Sequence, residues 1–570
     1  MLLRIFRTVL ALVLFVAITA FFLDFAHLLP PEFSRLMKIQ FIPALVGHWK
    51  TLVCLLVMAL VLGRFYCSSI CPLGVLQDII AWFGKRFHRN AAGKPARKRY
   101  QFSPARSLLR WSVFVVFFVA LALQCSIVAG PLDPYAAYGR IATHLFRPIY
   151  MAGNNGLAWV GSLCGSYRFY YVSILFSAVP FLIALGTLIL VGVLAYRGGR
   201  TYCNTICPVG TLLGLLARFS IFKIRIQKDK CVSCGLCEAR CKGHCIDAKN
   251  KAVDSSRCVV CFDCLGACKQ GAIGYSIPLI SKKQAPAPTP ETPEGETAPT
   301  QEAPKNETAE SPTETPSPET ISPEGSPTTQ PEPPATSPAE APAAAPTADR
   351  RAFLGLMTAA VATAATAPAE AVEKLEEVRT GQVPSGRTQA MAPPGSISVQ
   401  HLKKHCTACH LCVTKCPDHV LKPAFLEYGL GGMTVPTLDF TEGFCNEHCT
   451  VCGEICPNGA ILPLTEEERM HTQVGRVHFV EENCVVKKNE TNCGACAEHC
   501  PTQALKMVPY KGALTIPQID PDLCIGCGAC EHICPTRPYR AVFVEGLAEH
   551  GKRKDFEEKK QDIEVDDFGF

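Results

Sequence analysis

The stretch Cys524-Ile-Gly-Cys527-Gly-Ala-Cys530-Glu-His-Ile-Cys534-Pro535 decides how the rest of the chain is read. Its spacing, three cysteines two residues apart and a fourth three residues on before proline, is the ligand signature of a ferredoxin-type [4Fe–4S] cluster. Three thiolates on one tight loop reach three irons of a cubane. The fourth usually serves the other cluster of a pair, which holds two clusters close together. Five more blocks follow this plan: Cys231, Cys234, Cys237, Cys241; Cys258, Cys261, Cys264, Cys268; Cys406, Cys409, Cys412, Cys416-Pro417; Cys445, Cys449, Cys452, Cys456-Pro457, stretched at its start; and Cys484, then Cys493, Cys496, Cys500-Pro501, stretched further. The six blocks take 24 of the 32 cysteines, enough for six [4Fe–4S] clusters and for the movement of single electrons.

Other uses of cysteine fit less well. A disulfide scaffold belongs to a small oxidised domain, and this chain has 570 residues with cytosol-facing parts. Zinc ribbons use paired Cys-x-x-Cys blocks, not triplets ending in Cys-Pro. Cys245 aligns with Ala460 and Ala504 of later blocks, so Cys241 takes the ligand slot. Cys245 reads as a buried thiol beside the cluster.

The front of the chain reads as a membrane domain, residues 1–220. Apolar runs at Ile5–Leu29, Ala44–Leu62, Leu108–Ala129 and Val172–Ala195 are each long enough to cross a bilayer as a helix. Leu145–Leu163 is interrupted by Pro148 and by Gly153-Asn-Asn-Gly156, and reads as an external loop. Arg4 and Arg7, the basic loop from Lys85 to Arg106, and Arg197 with Arg200 set the cytoplasmic side. That rule accounts for the basic loop without nucleic acid, and the net charge of +6 says little about ligands.

Within this domain Gly63-Arg-Phe-Tyr-Cys67-Ser-Ser-Ile-Cys71-Pro-Leu-Gly74 repeats as Gly199-Arg-Thr-Tyr-Cys203-Asn-Thr-Ile-Cys207-Pro-Val-Gly210. Each copy follows a span running outside to inside, so Cys67, Cys71, Cys203 and Cys207 can meet. Four thiolates there suit a further metal centre or a pair of redox dithiols; a repeated helix-ending turn is the plain structural alternative.

Two such pairs followed by a two-cluster unit resemble the NapH family, membrane quinol dehydrogenase subunits of periplasmic nitrate reductase systems, over about residues 1–275. Parts of the pattern resemble NosR and CcoG, a regulator and an assembly factor. The resemblance implies a membrane ferredoxin taking electrons from quinol. Four blocks with two stretched, in residues 397–546, resemble the exported NapG and MauM ferredoxins. That resemblance implies outermost blocks pairing together and inner blocks pairing together: Cys406, Cys409 and Cys412 with Cys534; Cys524, Cys527 and Cys530 with Cys416; Cys445, Cys449 and Cys452 with Cys500; Cys484, Cys493 and Cys496 with Cys456.

Between the modules the composition shifts. Residues 281–350 hold 17 of the chain's 44 prolines and almost no aromatic residue, as in an extended disordered linker. Asp349-Arg350-Arg351-Ala352-Phe353-Leu354 and the apolar run after it resemble a twin-arginine export signal or, uncleaved, a fifth span.

The sequence thus predicts an α-helical membrane bundle plus two α+β ferredoxin-like polyferredoxin modules joined by a disordered linker. Its boundaries are 1–220, a two-cluster domain at 221–278, linker 279–348, signal or span 349–371, a four-cluster domain at 397–546 and a charged tail at 547–570. The expected location is the bacterial inner membrane, with the two-cluster domain cytoplasmic and the C-terminal domain periplasmic. The expected partners are the membrane, its quinone pool and a periplasmic redox protein such as a reductase or c-type cytochrome. A maturation or regulatory donor and a plain electron-carrier subunit are the competing classes. His27, Asp24, His48 and Asp133 lie near membrane faces, without naming a quinone site. Cys125 and Cys164 both lie outward, as a disulfide or as two thiols, and Cys54 reads as packing at lipid depth. The sequence leaves open how electrons pass between modules on opposite sides.

Overall fold

The computed structural model describes residues 2–87, 99–123, 125–165, 168–174, 177–277 and 387–554. The Pro-rich stretch, the twin-arginine-like segment, the end of the charged tail and most of the basic loop lie outside them.

The N-terminal part is helical. Its main helices are α1 (Leu2–Leu23), α2 (Trp49–Leu62), α3 (Pro72–Arg86), α4 (Ser107–Ala122), α5 (Pro134–Ile141), α6 (Arg147–Leu163), α7 (Ala178–Gly198) and α8 (Pro208–Ala217). Two of these, α1 and α7, are long and apolar enough to cross a membrane by length and composition. The other two expected spans are shorter than their apolar runs. His48, at φ −131° and ψ 68°, separates α2 from a short helix at Phe41–Gly47. The run 108–129 stops at Ala122, after which a seven-residue helix, Ser126–Leu132, begins.

The loop expected at 145–163 is instead helix α6. Pro148 sits in its first turn, where a missing N–H costs nothing. The Asn154 amide donates to the Tyr170 carbonyl at 2.9 Å, and Asn155 exchanges hydrogen bonds with Val172 at 2.8 and 2.9 Å. Those contacts engage the polar break that had suggested a loop. Outward faces are apolar: Val9, Leu12, Val13 and Val16 of α1, Val115, Val116 and Val119 of α4, and Leu182, Ile189, Leu190 and Val193 of α7 are exposed.

Each cysteine module is built from two-stranded antiparallel sheets and short helices. In the first, β1 (Lys223–Ile226) pairs with β2 (Ile273–Ser276), closing over both blocks. The last two blocks repeat that plan: β3 (Thr472–Phe479) pairs with β4 (Val542–Lys552) around Cys484–Cys534.

The two modules sit at opposite ends of the same helices. Arg4, at the start of α1, pairs with Asp263 of the first module; Asp24, just past its end, pairs with Lys415 of the second. A 22-residue helix spans about 33 Å. Helix α2 runs the other way: His48 before it bonds the Pro457 carbonyl at 3.0 Å, and the Leu62 carbonyl at its end accepts from Tyr275 at 3.0 Å. Arg110, in the first turn of α4, reaches Ser256.

Candidate iron–sulfur relay

All 32 cysteines are unbridged, Cys125 and Cys164 included. Cys54 is exposed on α2. The six blocks gather into sets of four, but not in the nested order that the resemblance implied. One cavity is lined by Cys445, Cys449, Cys452 and Cys416. Another is lined by Cys258, Cys261, Cys264 and Cys241, with Cys245 beside them. Elsewhere burial pushes the thiols up, and a neighbouring thiol that adds to the effect marks the fourth member. Cys456 does so for Cys406, Cys409 and Cys412; Cys500 for Cys524, Cys527 and Cys530; Cys534 for Cys484 and Cys496. Sequence neighbours therefore pair, third block with fourth and fifth with sixth. Strands and helices bring these blocks together: β3 and β4 close around the fifth and sixth. The helix inside the third block, Leu411–Lys415, packs on Val451–Ile455 inside the fourth, and Ala495–Glu498 packs on Ala529–Ile533.

Cys245 is buried, with its sulfur 3.4 Å from that of Cys241. The hydrogen bond between the two holds Cys241 down to about 6.

The duplicated motif converges at the centre. Cys67, Cys71, Cys203 and Cys207 are each 4 or 5% exposed and line one cavity with Tyr66, Tyr202 and Gln77. Cys71 and Cys207 cap the N-termini of α3 and α8, with Pro72 and Pro208 in the first turns. The Gly210 N–H donates to Cys207 Sγ at 3.3 Å, and Gln77 Nε2 to Cys203 Sγ at 3.2 Å. The two arginines of the repeat cross over. Arg64 of the first copy donates to the Cys203 carbonyl at 2.9 Å; Arg200 of the second donates to the Cys67 carbonyl at 2.6 Å. Both are fully buried. The glycines are equally reciprocal: a Cβ on Gly74 would lie 2.4 Å from the Cys67 carbonyl oxygen, and one on Gly210 2.3 Å from that of Cys203. Arg64 and Arg200 were legible as repeated letters; their crossing was not.

These residues fit an anionic cluster. Two helix N-termini and two buried guanidiniums offset thiolate charge, and Gln77 Oε1 and the Tyr202 hydroxyl are buried there without a partner. Among the described residues no group of three His, Cys, Asp or Glu side chains is drawn together as around a single ion.

The centre links the modules. Arg64 also donates to the Ser256 carbonyl at 3.1 Å and acts on Cys258. On the other side Pro134 lines the central cavity, and its neighbour Tyr135 lies beside Cys409. Farther out, Arg469 is 1% exposed and donates to Cys445 Sγ at 3.4 Å; it also acts on Cys527, whose carbonyl accepts from the Cys445 N–H at 2.9 Å. Between the two ends, the sets of Cys258, the centre, Cys406, Cys445 and Cys524 follow one another.

Comparison with known proteins agrees with this chemistry. Residues 51–90 and 179–227, which carry the duplicated motif, match the family described as a 4Fe-4S binding domain, and residues 491–537 match the 4Fe-4S dicluster domain. The putative electron transport protein YccM of Escherichia coli is 24% identical over 38% of this chain and 52% of its own length. The methylamine utilization ferredoxin-type protein MauM of Methylobacillus flagellatus is 31% identical over 25% of this chain and 63% of its own. The ferredoxin-type protein NapF of Escherichia coli is 27% identical over 24% of this chain and 76% of its own. The chain thus spans about half the length of YccM. No solved structure matches. The sequence matches and the sulfur sets define a polyferredoxin-like protein holding multiple [4Fe–4S] clusters. It is an iron–sulfur, ferredoxin-type electron-transport protein, related to YccM, NapF, MauM and MauN at low identity.

Proposed function

We propose that the protein oxidises membrane quinol and conducts the electrons through a membrane-embedded relay to a redox protein outside, a reductase or c-type cytochrome. Six [4Fe–4S] clusters occupy the ferredoxin sets, and a seventh centre is held by Cys67, Cys71, Cys203 and Cys207. Clusters of this kind give and accept single electrons. The chain positions them, excludes water and tunes them through hydrogen bonds to sulfur.

The observation that carries this reading is the central cavity, placed between the Cys258 and Cys406 sets while the modules engage opposite ends of α1 and α2. The exposed apolar faces of α1, α4 and α7 suit a lipid surround, and the basic residues at the Arg4 end support a cytoplasmic first module. A plain carrier would share the relay without the quinol reaction. Anaerobic addition of menaquinol to the full chain in lipid nanodiscs tests the difference. Bleaching of the visible iron–sulfur absorption supports quinol oxidation, and an unchanged spectrum refutes it.

A further inference from the structure

A cavity of about 210 Å³ lies beside the last sulfur set, between the residues around Cys484 and those that follow Cys534. A water takes about 30 Å³ of liquid, so the cavity holds a carboxylate-bearing side chain with water to spare. Asn483 and Val485, on either side of Cys484, and Pro535, next to Cys534, line it. Cys484 and Cys534 themselves are buried. Val485 also packs against the apolar group that holds Cys484, Cys493 and Cys534, so one side chain is shared by the cavity and the sulfur set.

Two exposed cations, Lys488 and Arg537, line the same cavity. Each hangs from a cluster cysteine. The Lys488 N–H donates to the Cys484 carbonyl at 2.8 Å, and Arg537 Nη1 donates to the Cys534 carbonyl at 2.9 Å. Cations nearby are neutralised: Lys487 pairs with Glu481 and Glu482 at 3.0 and 2.6 Å, and Lys511 with Glu490 at 3.8 Å. Among the described residues no carboxylate pairs with Lys488 or Arg537, and no Asp or Glu lines the cavity. Asn483 and Asn489 add amide donors.

We infer that this cavity is the port by which electrons leave the chain, and that it takes a side-chain carboxylate of an acidic redox protein. The inference rests on the relay in the proposed function and not on its quinol step, and it adds the charge of the partner. Opposite charge beside the exit steers encounter and fixes which face of the partner arrives. A c-type cytochrome with carboxylates around its haem edge has that chemistry. One electron passes from the Cys484 set to the partner, whose ferric haem becomes ferrous; no bond breaks and no proton moves.

The test uses the iron-loaded full chain in phosphatidylcholine nanodiscs and two forms of one cytochrome c. The native form is basic; the form with succinylated lysines is acidic. Binding is measured with the chain oxidised, so that no electron moves. Transfer is read from haem absorbance after the chain is reduced with dithionite and desalted. One variant reverses the port, Lys488→Glu with Arg537→Glu. A control makes the same change at exposed positions of the first module, Lys228→Glu with Lys249→Glu. Visible spectra check that each variant keeps its clusters. The parent is expected to bind the acidic form about tenfold or more tighter than the basic form. Reversing the port should abolish that preference and slow transfer to the acidic form, while the control behaves as the parent. The assignment is overturned if the reversed port binds the acidic form as the parent does, if the control weakens binding equally, or if the parent prefers the basic form. Neither measurement uses menaquinol, so each of these results leaves the quinol reading standing.

Discussion

Burial sets the chemistry of individual cysteines before iron arrives. It pushes Cys409, Cys496 and Cys527 up to about 12, and Cys416 and Cys524 to about 11. Without iron these thiols are protonated at neutral pH, and cluster binding must displace their protons. Retention should therefore weaken as pH falls, by roughly tenfold per pH unit for each proton displaced; visible absorbance across a pH series measures it. The iron-free chain should show the opposite sign. Thiols raised above the ordinary value of 9.0 contribute stability that is complete below that pH and is lost toward 11 or 12. Thermal unfolding of the iron-free protein should show an alkaline decline. At the centre, Cys203→Ser should remove one metal centre and leave the ferredoxin sets loaded, as read by iron content and electron paramagnetic resonance. Gly210→Ala should destabilise the chain by about 1–3 kcal/mol, since its methyl would meet the Cys203 carbonyl oxygen at 2.3 Å; a lower unfolding temperature is the readout. The ligand residues were legible in the sequence because a cubane's spacing is local. The fourth partner of each set was not, because the packing of one block against another chooses it.

At the level of elements, a buried ion pair helps to pin the joint between helices and second module. Lys415 and Asp24 are both buried, and Arg140 donates to the Ala408 carbonyl at 3.1 Å. Lys415→Ala leaves the Asp24 carboxylate buried and unpaired, a loss of about 3–5 kcal/mol. The double change Asp24→Asn with Lys415→Met should recover part of it. Limited proteolysis between residues 281 and 350 measures the outcome: the cut C-terminal module should separate in the single variant and stay bound in the parent. This joint could not be read from sequence, because the residues that make it look like ordinary loop polars. Helix ends were also hard to read. Apolar composition carries straight through His48, whereas its backbone does not, and Gly153–Gly156 looked like a break that hydrogen bonds from Asn154 and Asn155 instead anchor.

For the whole molecule, the structure changes a two-ended picture into one body. The sequence put cluster modules on opposite faces and left the crossing blank; the helices place the duplicated motif in that gap. If the centre is the crossing, Cys203→Ser should stop electrons passing between the two modules, which site-resolved spectra of the first and second modules can distinguish. The crossed arginines carry a further consequence. Arg64 completes the Cys203 half and Arg200 the Cys67 half, so neither copy of the motif is whole by itself. That exchange is the rule of a two-fold interface between identical subunits, here written into a single chain. An arginine lost from one copy therefore damages the half built on the other.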